Sequence, residues 1–373
     1  MIIGIPKEIK NNEFRVAATP NAVQEIIENK NKVYVEKNAG LKSGYTDYEY
    51  MKVGAEIVDR EILFNKSQLI YKVKEILPDE YGYMRENLMI FTYLHSNSDI
   101  KMTKILLENK VIAISYEDIE DKNGNFPLLE PMSEIAGKGG FLAALDLCKS
   151  INGGQGLLLS GISGIKKPVV TIIGAGNSGI GAAEVASSLG NDVRILDIDK
   201  NKLNKAKNIL PKNISTLYSN KKNLKTCIKE SDVLINCVLW NKNANGHLIF
   251  REDLKNMKET AIIVDVSCDE AGAIETSRPT SHDDPIYFEE GICHYAVDNI
   301  PSAYSRTATE ILSNSTLPYL LKITKYGLKN TLLEDSYFRK GLSFYKGKLT
   351  LKETAVKHNL EYMETFKALK EVE

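Results

Sequence analysis

A glycine-rich turn lies directly after a run of apolar residues near the middle of this 373-residue chain. Gly174, Gly176 and Gly179 have the spacing G-x-G-x-x-G, and a helical pattern begins at the third glycine. In a strand–turn–helix unit the first glycine permits a tight turn, and the second admits a pyrophosphate close to the backbone. The third glycine lets the helix pack closely on the strand. Free N–H groups at the helix N-terminus favour phosphate, so the motif predicts dinucleotide binding.

Asp197 lies at the end of the next predicted strand, 18 residues after Gly179. A carboxylate at that place can accept hydrogen bonds from the hydroxyl groups of a ribose. It would also repel a 2′-phosphate, and therefore favours NAD over NADP as the cofactor. The alternative interpretation of the whole segment is a glycine-rich turn with a purely structural role.

Four polar residues follow predicted strands or lie in the loop after one: Arg15, Lys74, His95 and Asp269. Ligands of open α/β sheets bind beyond the carboxyl ends of the strands. Arginine and lysine can together hold a small carboxylate, while a histidine and an aspartate can transfer protons. Each residue alone is also compatible with an ordinary solvated or structural position. Together they predict hydride transfer next to a carboxylate-binding site.

The elements that must position these residues are predicted from alternating short apolar runs and helical periods, which indicate an α/β protein. We expect two domains, with a Rossmann-type parallel-sheet NAD-binding domain inserted into an α/β catalytic domain. The catalytic domain comprises residues 1–130 and a mainly helical C-terminal return, 301–373, and the NAD-binding domain comprises residues 131–300. Gly137, Gly139 and Gly140 interrupt one helical pattern, and indicate either close helix packing or a hinge.

Composition and charge exclude several classes of protein. Lys and Arg number 48 and Asp and Glu 49, so the net charge of -1 disfavours a protein that grips nucleic acid or an anionic membrane. The five cysteines are scattered without a Cys-x-x-Cys pair, which is typical of reduced thiols in a cytoplasmic protein. We see neither a signal peptide nor a bilayer-spanning apolar run. No cluster has the spacing of metal ligands, and we expect no metal.

Several stretches of the chain, in order and over nearly its whole length, resemble the alanine dehydrogenase/pyridine nucleotide transhydrogenase family. The matching stretches are PKEIKNNEFRVAATP (Pro6–Pro20), KVKE (Lys72–Glu75), FTYLH (Phe91–His95), PLLEPMSEIAG (Pro127–Gly137), GAGNSG (Gly174–Gly179), IETSRPTSHDDPIY (Ile274–Tyr287) and NSTLPYLL (Asn314–Leu321). The resemblance implies a reversible reaction in which L-alanine, NAD and water give pyruvate, ammonium and NADH. It also implies a homo-oligomer, typically a hexamer, that needs no catalytic metal.

The resemblance also implies a role for each candidate residue. Arg15 and Lys74 match the residues that bind the substrate carboxylate, and His95 and Asp269 match the catalytic pair. The remaining matches concern the cofactor: Ser133 and Asn299 correspond to positions that contact it or line the cleft, and Asp197 corresponds to the ribose-binding acid.

The chain departs from the family at three places: the Trp240–His247 loop, Lys138-Gly139-Gly140, and Asp298. The loop and Asp298 lie near cofactor and cleft positions, so strict preference for alanine is open. One alternative function is reductive coupling of a 2-oxo acid to an amino acid, as in N5-(carboxyethyl)ornithine synthase. Another is the soluble NAD-binding subunit of a transhydrogenase, and a third is nucleotide binding without catalysis.

Overall fold

The computed structural model describes residues 1–240, 246–268 and 271–372, and the chain forms two compact units. Unit 1 comprises Met1–Pro131 and Ser305–Glu373, and unit 2 comprises Met132–Tyr304. The chain leaves unit 1 after Pro131 and returns to it at Ser305. Unit 2 is therefore an insertion within the sequence of unit 1.

Unit 1 is built on an eight-stranded sheet. Its strands are β1 (Ile2–Ile5), β2 (Lys32–Glu36), β3 (Glu56–Val58), β4 (Leu69–Tyr71), β5 (Met89–Thr92), β6 (Ile112–Ser115), β14 (Leu342–Tyr345) and β15 (Lys348–Leu349). Their spatial order is β15-β14-β6-β5-β4-β1-β2-β3. In this spatial order, all neighbouring strands from β6 to β3 are parallel. Strand β14 is antiparallel to both β6 and β15.

Helices accompany the strands of unit 1, and several begin at side-chain caps. They are α1 (Pro20–Glu28), α2 (Asp47–Lys52), α3 (Arg60–Lys66), α4 (Ile100–Glu108), α10 (Ser305–Tyr326), α11 (Leu328–Glu334), α12 (Lys352–His358) and α13 (Thr365–Glu371). The hydroxyl of Thr19 accepts from the N–H of Ala22 at the start of α1. Asp99 accepts from the N–H groups of Lys101 and Met102 at the start of α4. These bonds satisfy donors that a helix leaves without an internal partner.

Unit 2 is built on a seven-stranded sheet. Its strands are β7 (Val169–Ile173), β8 (Asp192–Asp197), β9 (Ser215–Tyr218), β10 (Val233–Asn236), β11 (Ile262–Asp265), β12 (Ile286–Glu289) and β13 (Ile292–Tyr295). Their spatial order is β12-β13-β11-β10-β7-β8-β9, and only β12 runs antiparallel to its described neighbour. Its helices are α5 (Glu130–Leu147), which begins in unit 1, α6 (Asn177–Ser188), α7 (Lys200–Ile209), α8 (Lys221–Glu230) and α9 (Arg251–Leu254).

Apolar side chains cover both faces of the sheet in unit 2. Val233, Ile235 and Val264 belong to one buried cluster, whereas Leu234 and Ile263 belong to another. Because successive side chains of a strand point to opposite faces, two such clusters lie on opposite sides of the sheet. Continuous apolar runs buried on both faces are typical of parallel sheets, and the predicted α/β class is confirmed.

Both sheets contain a point where the strand order reverses. In unit 1 the chain places β2 on one side of β1 and β4 on the other, and in unit 2 it places β8 on one side of β7 and β10 on the other. Loops that leave two such neighbouring strands diverge and open a crevice at the carboxyl edge, where ligands of these folds bind. Each unit therefore has one topologically favoured ligand site.

The C-terminal return contains strands as well as helices, and the sequence pattern did not predict these strands. The hairpin of β14 and β15 interrupts its helices, and β14 pairs with β6. The periodicity also missed β3 and β12, since strands of three or four residues carry a weak pattern. For the glycines of α5 the structure favours close packing. A Cβ at Gly137 would lie 1.8 Å from the carbonyl oxygen of Ser178 in α6.

Among the described residues, no helix is long and apolar enough to cross a membrane.

Candidate functional site

The packing of unit 2 itself requires two glycines of the G-x-G-x-x-G motif. Gly174 has φ +100°, and a Cβ there would lie 2.9 Å from the carbonyl oxygen of Cys237 after β10. A Cβ at Gly179 would lie 1.8 Å from the carbonyl oxygen of Gly174. Side chains do not fit at either place, because the backbone of the turn, the helix and the neighbouring strand approach too closely.

Gly176 differs from the other two glycines because nothing in the described part of the chain demands it. Its φ of −80° and ψ of −172° suit any residue, and no described atom lies within 4 Å of an added Cβ. Gly176 occupies the N-cap of α6 without supplying a side-chain cap. An open space above uncapped helix N–H groups is suited to a phosphate. The loop therefore fits the pyrophosphate of a dinucleotide.

Asp197 at the end of β8 is tied to this same loop. Its Oδ2 accepts from the N–H of Ala175 at 2.8 Å, and its Oδ1 accepts from the N–H of Asp199 at 2.8 Å. Each carboxylate oxygen has a further lone pair with which it could accept from a hydroxyl group. The side chain is half-buried and has a fixed orientation. This geometry fits a ribose-binding acid.

Ser133 and Asn299 occupy less clearly defined places in unit 2. Ser133 is half-buried on α5, one turn before Gly137, which is the point of close contact with α6. Asn299 is buried after β13, and its carbonyl oxygen pairs with Nε2 of His282 at 2.9 Å. Their roles towards a cofactor remain predictions. Asp298 is exposed beside Asn299.

Asp269 lies outside the described residues, and so do residues 241–245 of the Trp240–His247 loop. The structure does describe the anchor that precedes Asp269. Asp265, buried at the end of β11, accepts from Nδ2 of Asn236 at 2.8 Å and from the N–H of Cys268 at 3.1 Å. It also accepts from the hydroxyl of Ser277. The segment that carries the predicted catalytic aspartate therefore starts from a rigid strand end.

In unit 1, Arg15 is buried and forms a two-point ion pair with Glu13. The distances are 2.7 Å from Nε to Oε1 and 2.6 Å from Nη2 to Oε2. Burial alone would lower the pKa of Arg15, but the charge and hydrogen bonds of Glu13 outweigh it and raise the pKa. Arg15 is thus a permanent cation whose planar group is held in one orientation.

Lys74 lies just beyond β4, next to the strand from which the Arg15 loop departs. The side chain is buried, and its ammonium has no hydrogen-bond partner among the described residues. Burial lowers the pKa of Lys74, and the positive charges of Arg15 and Lys10 lower it further. An ammonium in this state gains from an incoming carboxylate both a hydrogen-bond partner and a compensating charge.

A buried carboxyl group positions the backbone at Lys74. Oε1 of Glu8 accepts from the N–H of Val73 at 2.6 Å and from the N–H of Lys74 at 3.2 Å. Lys72 lies 3.7 Å from the other oxygen of Glu8 and pairs more closely with Glu80, at 2.7 Å. Since Glu80 already neutralises Lys72, burial prevails at Glu8 and raises its pKa to about 7. Glu8, Lys72 and Glu80 thus form a rigid polar cluster that supports the backbone of the Lys74 loop.

His95 follows β5 and has a left-handed backbone, with φ +48°. Its N–H donates to Oε1 of Glu117 at 2.6 Å, and its carbonyl oxygen accepts from the N–H of Ser98 at 2.9 Å. Partial burial lowers the pKa of the ring, the charge of Glu117 opposes this, and the charge of Lys74 adds to it. A ring that is largely neutral near pH 7 can accept a proton.

The C-terminal part of unit 1 holds the loop that carries His95. The hydroxyl of Thr354 in α12 lies 2.7 Å from that of Ser96 and donates to Oδ1 of Asn97 at 2.6 Å. Nε2 of His358 lies 3.1 Å from the carbonyl oxygen of Ser96. The predicted return of the chain thus stabilises one wall of the candidate site.

Unit 1 therefore brings Arg15, Lys74 and His95 to the carboxyl edge of adjacent strands. Sequence reasoning missed the acids that orient them, Glu8 and Glu13. A signal existed, since both acids precede Arg15 in the loop after β1, at the predicted ligand-binding edge. The described residues include no cluster of three or more His, Cys, Asp or Glu that could hold a metal ion.

Comparisons with known proteins match nearly the whole chain. Residues 4–136 match the family model of the alanine dehydrogenase/PNT N-terminal domain, and residues 141–352 match that of the C-terminal domain. An alanine dehydrogenase of Methanococcus maripaludis is 42% identical over 373 residues, which are 100% of both chains. An alanine dehydrogenase of Staphylococcus saprophyticus is 41% identical over 371 residues, 99% of this chain and 100% of the relative.

Solved structures show the same similarity. An L-alanine dehydrogenase superposes with a TM-score of 0.92 at 37% identity, over 96% of this chain and 99% of the other. A transhydrogenase from Sinorhizobium meliloti superposes with a TM-score of 0.79 at 18% identity, over 94% of this chain and 99% of the other. At that lower identity the second match concerns the fold alone.

Proposed function

This chain belongs to the alanine dehydrogenase/PNT family, and on that premise we propose that it catalyses the reversible NAD-dependent oxidative deamination of L-alanine. The products are pyruvate, ammonium and NADH. The comparisons confirm the family and the enzyme class predicted from the sequence, an amino-acid dehydrogenase. They do not favour opine-type coupling or a transhydrogenase subunit, because the full-length relatives at about 40% identity are named alanine dehydrogenases.

The observation that carries the proposal is the ammonium of the buried residue Lys74, which lies in the positive field of the fixed guanidinium of Arg15. Glu13 compensates Arg15, whereas Lys74 has no hydrogen-bond partner among the described residues. A bound carboxylate would satisfy Lys74 and meet the positive field of Arg15 at once. Both L-alanine and pyruvate carry that carboxylate, so one pair of cations serves both directions of the reaction.

Unit 2 contributes the groups that hold the dinucleotide. Gly176 and the N-terminus of α6 would receive the pyrophosphate, and Asp197 would accept from the ribose hydroxyls. Ser133 and Asn299 would complete the contacts. Bound NAD supplies a hydride acceptor, and the carboxylate of Asp197 disfavours the 2′-phosphate of NADP.

We assign proton transfer to His95, with Asp269 as its catalytic partner. The ring would take up the proton of the water that adds to the substrate imine, and return it in the reverse direction. His95→Ala should lower kcat by about 10²–10⁴, as expected for a lost general acid–base group. A steady-state assay of alanine oxidation measures the loss, and a fully active variant would remove His95 from the mechanism.

The direct test of the function is NADH formation from L-alanine and NAD at mildly alkaline pH, followed by absorbance. Pyruvate with ammonium and NADH tests the reverse direction. Activity in both directions is the expected result. If NADH binds but both assays are silent, the substrate is wrong, and NADH oxidation with pyruvate and ornithine or lysine is measured next.

We also propose a cytoplasmic homo-hexamer, on the strength of the family resemblance. Light scattering on the eluate of a size-exclusion column gives the mass directly. A hexamer has six times the 41.6 kDa of the chain. A monomer would contradict this assignment without affecting the proposed reaction.

A further inference from the structure

Glu117 directs its carboxylate at the backbone on which His95 is mounted. It lies in the short turn Tyr116–Asp118 that follows β6, the strand beside β5. Its two oxygens lie 3.0 and 3.1 Å from the N–H of Leu94, and Oε1 lies 2.6 Å from the N–H of His95. One carboxylate thus binds two successive N–H groups, on the chain segment that links a rigid strand to the candidate catalytic ring.

These hydrogen bonds hold an uncommon backbone conformation. His95 has φ +48°, in the left-handed region that residues with a Cβ rarely adopt. Ser98 secures the other side of the residue, since its N–H and hydroxyl both donate to the carbonyl oxygen of His95. Strained residues persist only where their surroundings hold them, and such residues concentrate at functional sites.

The same carboxylate also faces the imidazole ring. Nδ1 of His95 lies 3.9 Å from Oε1 of Glu117, which is too long for a hydrogen bond but within ion-pair distance. The other charges that act on the ring are those of Lys74, Glu75 and Lys10.

Two of those charges compensate each other, because Glu75 pairs with Lys10 at 2.8 Å. Lys74 disfavours a proton on the ring. Within the part of the chain that the structure describes, His95 is the one ion-pair contact of Glu117. Glu117 is therefore the carboxylate that offsets Lys74 at the ring.

We propose that Glu117 is a positioning residue of the active site, which fixes the backbone and ring of His95 and supplies the negative charge that stabilises its protonated form. The inference rests on the proposed function, since it gives His95 the task of moving protons. Glu117 acts through His95, and would leave the carboxylate contacts of Lys74 and Arg15 unchanged.

The test compares Glu117→Gln with Glu120→Gln. The amide oxygen of the first variant can still accept from the backbone N–H groups, but its charge is gone. The second variant is the matched control, because Glu120 lies three residues further along and pairs with Lys340 at 2.6 Å. Both are made in the full chain and compared with the unaltered protein by thermal unfolding.

Diethyl pyrocarbonate reacts with neutral imidazole, so its reaction with His95 across a pH series, followed by peptide mass spectrometry, reports the pKa of the ring. His95 is accessible to the reagent, with 40% of its side chain exposed. We expect the pKa of His95 to fall in Glu117→Gln and to stay unchanged in Glu120→Gln. An unchanged pKa in Glu117→Gln would overturn the electrostatic part of the proposal.

Kinetics supply the second readout. Glu117→Gln should lower kcat about 10–100-fold, in the range seen when the outer partner of a functional histidine is lost, with an unchanged KM for L-alanine. Glu117→Asp, which keeps the charge, should recover part of the loss. Equal losses in the Asp and Gln variants would refute the role of the charge.

The labelling experiment needs no substrate, so it separates this inference from the proposed function. If the wild-type protein has no alanine activity but Glu117→Gln still lowers the pKa of His95, the proposed function is refuted and the proposed role of Glu117 at His95 stands. If the wild-type protein is active but Glu117→Gln changes neither the pKa of His95 nor kcat, the proposed role of Glu117 is refuted and the proposed function stands.

Discussion

Replacement of Gly176 by alanine separates the requirements of a ligand from those of the fold. The backbone at Gly176 suits any residue, and an added Cβ meets no described atom within 4 Å. The change should therefore leave the folded chain intact and fill the space proposed for the pyrophosphate. Gly179→Ala is the matched control, since its Cβ would lie 1.8 Å from the carbonyl oxygen of Gly174.

The magnitudes follow from these two environments. For Gly176→Ala, the poorer N-cap costs up to about 1 kcal/mol, and the less flexible unfolded chain offsets about 0.4–1 kcal/mol. The net change in the free energy of unfolding is close to zero. Loss of one charge-assisted N–H bond to phosphate costs about 1.5–3 kcal/mol, which raises the Kd for NADH about 10–150-fold.

Gly179→Ala should have the opposite profile. Its Cβ would clash with backbone atoms, which cannot move away as a side chain can. The loss in the free energy of unfolding should therefore lie at or above the upper end of the roughly 1–3 kcal/mol typical of overpacking. For a unit of this size, about 3 kcal/mol lowers the Tm by roughly 6–12 °C.

Two measurements distinguish the variants. Thermal unfolding without ligand gives the Tm, and titration of the fluorescence of NADH gives its Kd. We expect Gly176→Ala to keep its Tm and lose affinity, and Gly179→Ala to lose Tm. If Gly176→Ala binds NADH as tightly as the wild type, the pyrophosphate does not lie against Gly176, and our account of the loop is wrong.

Further predictions concern charge. Lys74→Met should raise the KM for L-alanine about 10–100-fold without lowering the Tm, because Lys74 is a buried residue whose ammonium has no hydrogen-bond partner among the described residues; an unchanged KM would exclude Lys74 from the site. Arg15→Met should instead destabilise the fold by about 3–5 kcal/mol, since it leaves Glu13 buried without its cation, and urea unfolding measures this; equal stability would contradict the buried pair. Wild-type enzyme should prefer NAD, and Asp197→Ser should reduce the ratio of kcat/KM for NAD to that for NADP; equal values for the two cofactors in the wild type would contradict the role of Asp197. Because burial raises the pKa of Glu8 from 4.5 to about 7, the folded chain holds this proton more tightly than the unfolded chain. The contribution of this proton to the free energy of unfolding is complete below about pH 4.5 and is lost as the pH rises through about 7. The change amounts to about 3 kcal/mol. Glu8→Gln should flatten that part of the stability profile, and an unchanged slope would refute the assignment.

The glycine turn and the helix starts were predictable because their causes are local. A tight turn needs Gly174 within a few residues of the strand it follows, and a cap such as Thr19 bonds to the N–H three residues later. The positions of Lys74 and His95 followed from apolar runs that end at or just before them, and that of Arg15 from the loop after the first strand. That their side chains act on substrate remains a prediction.

The partners of the acids that orient these residues could not be assigned from the sequence. Glu8 reaches Val73 and Lys74 across 65 and 66 residues, and Glu117 reaches His95 across 22. Such contacts depend on which strands lie side by side, and neither periodicity nor spacing determines that order. The same limit applies to β14, whose pairing with β6 joins residues more than 200 positions apart.

Residue types and their spacing thus establish which groups are present and at which edge of a sheet they emerge, because turn and strand preferences act over short distances along the chain. Tertiary structure decides which charges meet. It brings the carboxylate of Glu117 to His95, while Lys74 has no hydrogen-bond partner among the described residues. The strength of an electrostatic interaction depends on the distance between the charges and on their burial. Both are determined only when the strands have assembled.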